Sequence, residues 1–269
     1  YMDSAEARPV VCTFRDGPLR QEIEQLGIEV LILPDRRYSI LAFPWFLADM
    51  IRIWRALTKI VRDYDVDVVQ THLLRTLDFL VLFLKYTTSV RIVLWTFHSA
   101  KFMLAKSHLS RHRWLLGPKR YIHHLLYRLA SRCVDGFIAV SDQVKEAIMA
   151  TIHPIPRKVM VICNGVDIER YEQPVDKRWI RNELGLDEAA RLIAVVGTLK
   201  EGKGHQYVIQ AMPSIVARHP FAHVLFIGDG ALREELQSQA AASHVDSHVH
   251  FLGNRRDVPA LLAASDLFV

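Results

Sequence analysis

Short runs of aliphatic and β-branched residues, each followed by a stretch of helical length, recur from one end of the chain to the other. This alternation limits the possible architectures more than any other feature. The runs are PVVCTF (9–14), IEVLILP (28–34), VDVVQTH (66–72), RIVLWTFH (91–98), VDGFIAVS (134–141), KVMVICNG (158–165), RLIAVVGTL (191–199), AHVLFIGDG (222–230), HVHFLGN (248–254) and DLFV (266–269). Most lack polar alternation, the pattern of parallel strands covered on both faces. Helices are predicted at 17–26, 45–63, 112–131, 141–151, 204–218 and 231–242. Repeated β-α units connect through right-handed crossovers, so the expected class is α/β with doubly wound, Rossmann-like parallel sheets.

Ten strands are many for one sheet, and residues 166–190 are polar with no strand signal. The expected organisation is therefore a first domain over 1–165, a linker over 166–190 and a second domain over 191–269. A chain of 269 residues that is 51% hydrophobic can fill two ordinary cores. The longest apolar run, FLVLFLKY from Phe79, is far too short to span a bilayer. Cys12, Cys133 and Cys163 are odd in number and widely spaced, which fits neither a disulfide framework nor a zinc site and suggests a reducing cytoplasm. No His, Asp or Glu cluster has ligand spacing, so no metal is expected. The chain opens on Tyr1 and stops at Val269 inside an apolar run, the expectation being a fragment truncated at both ends.

Ligands of such folds sit at the carboxyl ends of the strands. In VVGTLKEGKGH (195–205), Gly197 permits close backbone approach, a helix starting near Gly204 aims free N–H groups at the turn, and Lys203 adds a point charge for a phosphate. The stretch is neither a Walker A loop nor a three-glycine dinucleotide fingerprint, which disfavours a dehydrogenase, and an ordinary turn with solvated lysines is the alternative. FIGDGALREEL repeats the arrangement: Gly228 and Gly230 would let a ligand approach, with Asp229 as a turn residue. FLGNRRDVPALL adds Gly253, the Arg255–Arg256 pair, Asp257 as an expected N-cap and Pro259 in the first helical turn. A solvated arginine pair is the alternative there.

Taken in order, VICNGVD, VVGTL with KG, FIGDG with REEL, and FLGNRRDVPALLAASDLFV resemble the retaining glycosyltransferases of family four, which have the two-domain GT-B fold. The resemblance is specific from about Val134 to Val269 and looser from Val10 to Ser141. It implies a metal-independent enzyme without cofactor, moving a sugar from a nucleotide-sugar donor, UDP before GDP, to an acceptor hydroxyl in cell-surface glycan or glycolipid synthesis. Gly197 and Lys203 then match the positions that hold the donor diphosphate, Asn164 and Gly165 the hinge region, and Arg255 or Arg256 the turn near the nucleoside. His98 matches the histidine that approaches the transferred sugar, and His72 is a weaker case of the same kind. Thr198 stands where the family usually carries Arg, which removes one of two cations. The family's Glu-rich loop would begin past Val269, and its first Gly-rich loop would precede Tyr1. A non-catalytic donor-binding scaffold and a sugar-nucleotide epimerase are the alternatives.

The net charge of +5 hides an asymmetry. From Phe79 to Val134 there are ten Lys or Arg and no acid, so this block carries +10 and the remainder 5 − 10 = −5. Lys106, Arg111, Arg113, Trp114, Lys119 and Arg120 lie in its densest part, KFMLAKSHLSRHRWLLGPKRYIHHLLYRLASR (101–132), which also holds Tyr121 and Tyr127. The block could be a solvated helix with a core side, a nucleic-acid surface or a membrane surface. No nucleic-acid motif is recognisable, whereas cations interleaved with aromatics suit anionic headgroups. The expected partners are a nucleotide sugar, a glycan or lipid-linked acceptor and an anionic membrane surface, with the protein cytoplasmic and peripheral at the inner face of the membrane. In helix 45–63, Trp45, Ile53, Trp54 and Leu57 read mostly as core, the tryptophans as second candidates for an interface.

Overall fold

The structure is a computed structural model that describes residues 7–34, 45–72, 76–99, 116–172 and 174–269. The chain divides into two compact units, Tyr1–Asn164 and Gly165–Val269.

All ten predicted strands form. In the first unit β1 (Val10–Thr13) pairs in parallel with β2 (Glu29–Ile32), following helix α1 (Pro18–Gln25). Helix α2 (Trp45–Asp63) leads to β3 (Val68–His72), and α3 (Thr76–Thr87) to β4 (Ile92–Phe97). Helix α4 (Leu116–Ala130) precedes β5 (Gly136–Ala139), and α5 (Asp142–Ile152) precedes β6 (Val159–Val161). Strands β3 to β6 form one parallel sheet in chain order, separate from β1–β2. Val10, Cys12 and Phe14 on one side and Val68, Val69 and Thr71 on the other line a cavity of about 150 Å³ between the two sheets.

Near its carboxyl end strand β4 is covered on both faces: Val93, Trp95 and Phe97 on one face are fully buried, and Thr96 on the other is 4% exposed. Trp95 meets Phe79, Tyr127 and Phe137 edge-on at 5.3–6.0 Å between ring centres. Tyr127, read from the sequence as part of a basic surface, is instead a core residue whose hydroxyl donates to the buried Asp78 at 3.0 Å. Trp45 departs the other way. It is 62% exposed, whereas Ile53 is fully buried.

In the second unit α6 (Arg178–Glu183) precedes β7 (Arg191–Val196), followed by α7 (His205–Arg218), β8 (Ala222–Ile227), α8 (Arg233–Ala242), β9 (Val249–Gly253), α9 (Val258–Ala264) and β10 (Leu267–Phe268). The sheet is parallel with strand order β10-β7-β8-β9. Leu192 and Ala194 pack on one face with Ile180 and Leu261, while Val195, Phe226 and Met212 fill the other.

The stretch expected to be a linker therefore belongs largely to the second unit. Ile180 is fully buried, and Arg181, 6% exposed, donates to the carbonyls of Lys177, Ala190 and Ala264 and pairs with Asp266 at 2.9 Å. Burial opposes ionisation of Asp266, but the Leu192 amide and the Arg181 and Arg191 guanidiniums outweigh it and hold the carboxyl below its usual range. A buried charge placed this way is tolerated because its donors are satisfied.

Candidate functional site

In the second unit the chain runs from β7 to β8 to β9 on one side of β7 and then returns to place β10 on the other. The carboxyl end of β7 is thus the point where strand order reverses, the position at which open α/β sheets bind ligands. The turn Gly197–Gly204 occupies it. Gly202 and Gly204 have φ of 82° and 81°, values that favour glycine. Gly204 is the N-cap of α7 and no side chain caps the helix; the Tyr207 amide donates to the Gly204 carbonyl at 2.9 Å, while the His205 and Gln206 amides have no acceptor among the described residues. Lys203 and Thr198 are exposed on the turn, and Lys203 has no ion-pair partner among the described residues.

The open space expected over Gly228 and Gly230 is filled by this same turn. A Cβ on Gly228 would lie 2.2 Å from the Gly197 carbonyl oxygen, and one on Gly230 would lie 2.3 Å from that of Leu199. The Gly197 amide donates to Ile227 O at 3.0 Å and the Leu199 amide to Asp229 O at 3.0 Å, locking the turns together. These glycines are required by backbone packing, and they hold the β7 turn in shape.

Arg255 and Arg256, alike in sequence, differ in setting. Arg255 forks onto Glu183 at 2.7 Å and Asp257 at 2.7 Å and lies 5.8 Å over the Trp179 ring. Hydrogen bonding to Arg255 holds the Asp257 carboxyl below its usual range. Asp257 stands at the N-cap of α9 as expected but makes no side-chain cap, because Arg255 takes its carboxylate. Pro259 lies in the first turn. Arg256 is exposed and unpaired among the described residues, which leaves it as the available cation of the two.

In the first unit, His72 ends β3 and His98 follows β4. The parallel register sets Thr71 against Trp95 and His72 against Thr96, so the strand ends bring the rings together, with His72 Nδ1 2.8 Å from His98 Nε2 and ring centres 5.2 Å apart. One nitrogen must carry a proton and the other a lone pair. Burial, then the neighbouring His98, pushes the His72 pKa down, favouring a neutral His72 ring that can both donate and accept. The sequence marked each histidine separately; their partnership across 26 positions needs the register.

Asn164 is exposed at the boundary between the units. Lys106, Arg111, Arg113 and Trp114 lie outside the described residues, and Lys119 and Arg120 belong to α4 without described side chains. Farther along α4, Tyr121, Ile122, Leu125, Leu126 and Leu129 are exposed beside Arg128. Among the described residues no helix is long and apolar enough to cross a membrane, and no group of three His, Cys, Asp or Glu could hold a metal ion.

A cluster the sequence reading missed lies at the opposite end of the second sheet. His223 Nδ1 and His250 Nε2 are 3.2 Å apart, and His248 stacks on His223 at 4.9 Å. Burial first, then the two neighbours, lowers the His250 pKa to about 4.

Residues 1–170 match the family described as Glycosyltransferase Family 4, and residues 176–269 match Glycosyl transferases group 1. A UDP-Gal:alpha-D-GlcNAc-diphosphoundecaprenol alpha-1,3-galactosyltransferase of Escherichia coli is 26% identical over 218 residues, covering 80% of this chain and 54% of the relative. A GDP-mannose-dependent monoacylated alpha-(1-6)-phosphatidylinositol monomannoside mannosyltransferase of Corynebacterium glutamicum is 36% identical over 109 residues, 39% of this chain and 28% of the relative. The chain thus spans about half the length of the first relative and less of the second. Among solved structures, Anabaena Alr3699/HepE in complex with UDP-glucose aligns with a TM-score of 0.73 at 22% identity, over 96% of this chain and 65% of that one, a likeness of fold.

Proposed function

The chain belongs to glycosyltransferase family 4, and from that premise we propose that it serves to move a hexosyl group from a nucleotide sugar to an acceptor hydroxyl with retention of anomeric configuration, in cell-surface glycan or glycolipid synthesis. The observation that carries this reading is the uncapped N-terminus of α7 beside the unpaired Lys203, at the strand-order reversal of the second sheet. A nucleotide sugar leaves as a diphosphate, so the barrier is set by how well developing negative charge is stabilised. Preorganised donors of this kind each supply roughly 3–4 kcal/mol.

In this proposal the His205 and Gln206 amides at the start of α7 and the Lys203 ammonium receive the diphosphate, and Arg256 faces the nucleoside side. The acceptor hydroxyl attacks the anomeric carbon from the face the diphosphate leaves; the C–O bond to phosphate breaks, and the departing phosphate oxygen takes the hydroxyl proton. His98 is assigned to polarise a hydroxyl of the transferred sugar, a role its exposed ring and its hydrogen bond with His72 support. No metal or cofactor is invoked. UDP is preferred to GDP as carrier. A lipid-linked or glycan acceptor and attachment at the cytoplasmic membrane face are supported by the exposed apolar side chains of α4 beside Arg128. A non-catalytic donor-binding relative is the second reading, favoured by the exposed and uncharged Thr198 on the turn.

The test is calorimetric titration of UDP and GDP into the protein and into Lys203→Ala. Saturable binding of one nucleotide, weakened about tenfold or more by the substitution, is the expected result. Binding of neither removes the donor-site reading.

A further inference from the structure

His205, the first residue of α7, is 2% exposed, yet its Nδ1 is buried with no hydrogen-bond partner. Its other ring nitrogen, Nε2, lies beside the turn, 4.0 Å from where a Cβ on Gly197 would be, and has no hydrogen-bond partner among the described residues. The ring is held there by Phe226 of β8, edge-on at 5.3 Å. An imidazole with its Nδ1 buried and unpaired, at the start of α7 beside the end of β7, is a costly arrangement for a residue with only a packing role. A leucine would fill the same space without leaving polar atoms unsatisfied.

The charged groups around it explain its state without a ligand. Lys203 lies two residues before it on the same turn, and the positive end of α7 is directly behind it. On the neighbouring β8 turn, Asp229 accepts from the Gly230 amide at 2.8 Å and lies 3.7 Å from Arg233, so its charge is already engaged. Phe226 is apolar. Burial, then Lys203, pushes the His205 pKa down and keeps the ring neutral.

We propose that His205 is a proton-coupled contact of the nucleoside diphosphate: the free site holds a neutral imidazole, and when a diphosphate settles on the Gly197–Gly204 turn the ring takes one proton from solvent and donates Nε2–H to a phosphate oxygen. The inference rests on the donor-site reading above and adds a group to it. The incoming charge reverses the local balance, since a polyanion beside Lys203 and the helix terminus offsets the repulsion that disfavoured the imidazolium. Binding then tightens as pH falls from about 8 toward 6.

The test uses UDP-glucose and GDP-mannose, whose diphosphate diesters do not titrate near neutrality, so any proton taken up belongs to the protein. Titration calorimetry at pH 7 is run in PIPES and in Tris. The expected result is a buffer-dependent enthalpy corresponding to uptake of up to one proton per bound ligand, lost in His205→Gln, with affinity at pH 6.5 falling about tenfold. His205→Asn is the second variant, and thermal melting establishes that each is folded. Binding with no buffer dependence, or uptake that survives both substitutions, overturns this inference and leaves the donor site standing. Failure of both sugars to bind wild-type protein overturns the donor-site reading and takes this inference with it.

Discussion

The two units treat the carboxyl ends of their strands differently. The second presents backbone: glycines at 197, 202, 204, 228 and 230, an uncapped helix and interlocked turns. The first presents side chains, the His72–His98 pair held by adjacent strands. A backbone site suits an anion whose charge is spread over several oxygens, because it offers many fixed donors. An imidazole pair suits one hydroxyl, because it offers a single tunable donor or acceptor. The two kinds of site should also fail differently when altered.

The largest effect is expected from the backbone site. Gly228→Ala or Gly230→Ala drives a Cβ to 2.2 or 2.3 Å from a carbonyl oxygen of the β7 turn. Gly228 also has φ of 142°, so strain adds to overlap. Each substitution should cost about 3 kcal/mol or more, read as a lowered denaturation midpoint of the second unit. A variant as stable as wild type would show that the turns are not interlocked in solution.

Acid separates the units next. The folded His250 pKa of about 4 lies below its unfolded value, so the folded state favours the neutral ring. Its stabilisation is complete above about pH 6.5 and is lost as pH falls toward 4. The ring is only partly buried, and solvent screening reduces the cost to about 1–2 kcal/mol. Urea melts followed in each unit between pH 7 and 4.5 should show the second weakening, and His250→Gln should flatten that slope. A slope unchanged by the substitution would place the effect elsewhere.

The smallest effect belongs to the side-chain site. His98→Asn should leave stability within about 0.5 kcal/mol of wild type, since the His98 ring is exposed just past the end of β4. His72 should then titrate higher than before but still below an ordinary histidine, because burial is the larger cause and His98 the second. NMR titration of the His72 ring reads this directly; an unmoved pKa would mean that the rings are not paired.

Some features were legible because they are local. Unbroken β-branched runs mark doubly covered strands, and Gly-Lys-Gly before an amphipathic helix marks a glycine turn leading into that helix, since both depend on residues a few positions apart. Helix α3 was missed because Leu82 and Leu84 are buried within a nearly continuous apolar run, which leaves no helical period to read. Helix α6 was missed because Trp179, Ile180 and Leu184 are scattered among charges, and Arg181 becomes a core residue only through Asp266, 85 positions away.

By itself, then, the amino-acid sequence determined the α/β class, the succession of strands along the chain and the glycine turn before α7, because periodicity and turn chemistry act over a few residues. Only the tertiary structure decided which polar groups are spent and which are free: Arg255 on Glu183 and Asp257, Arg256 left over, Gly228 and Gly230 filled by backbone, His72 joined to His98, and His205 buried without a partner. These outcomes depend on contacts between distant segments, and burial and pairing, the quantities that set charge and reactivity, exist only once those contacts form.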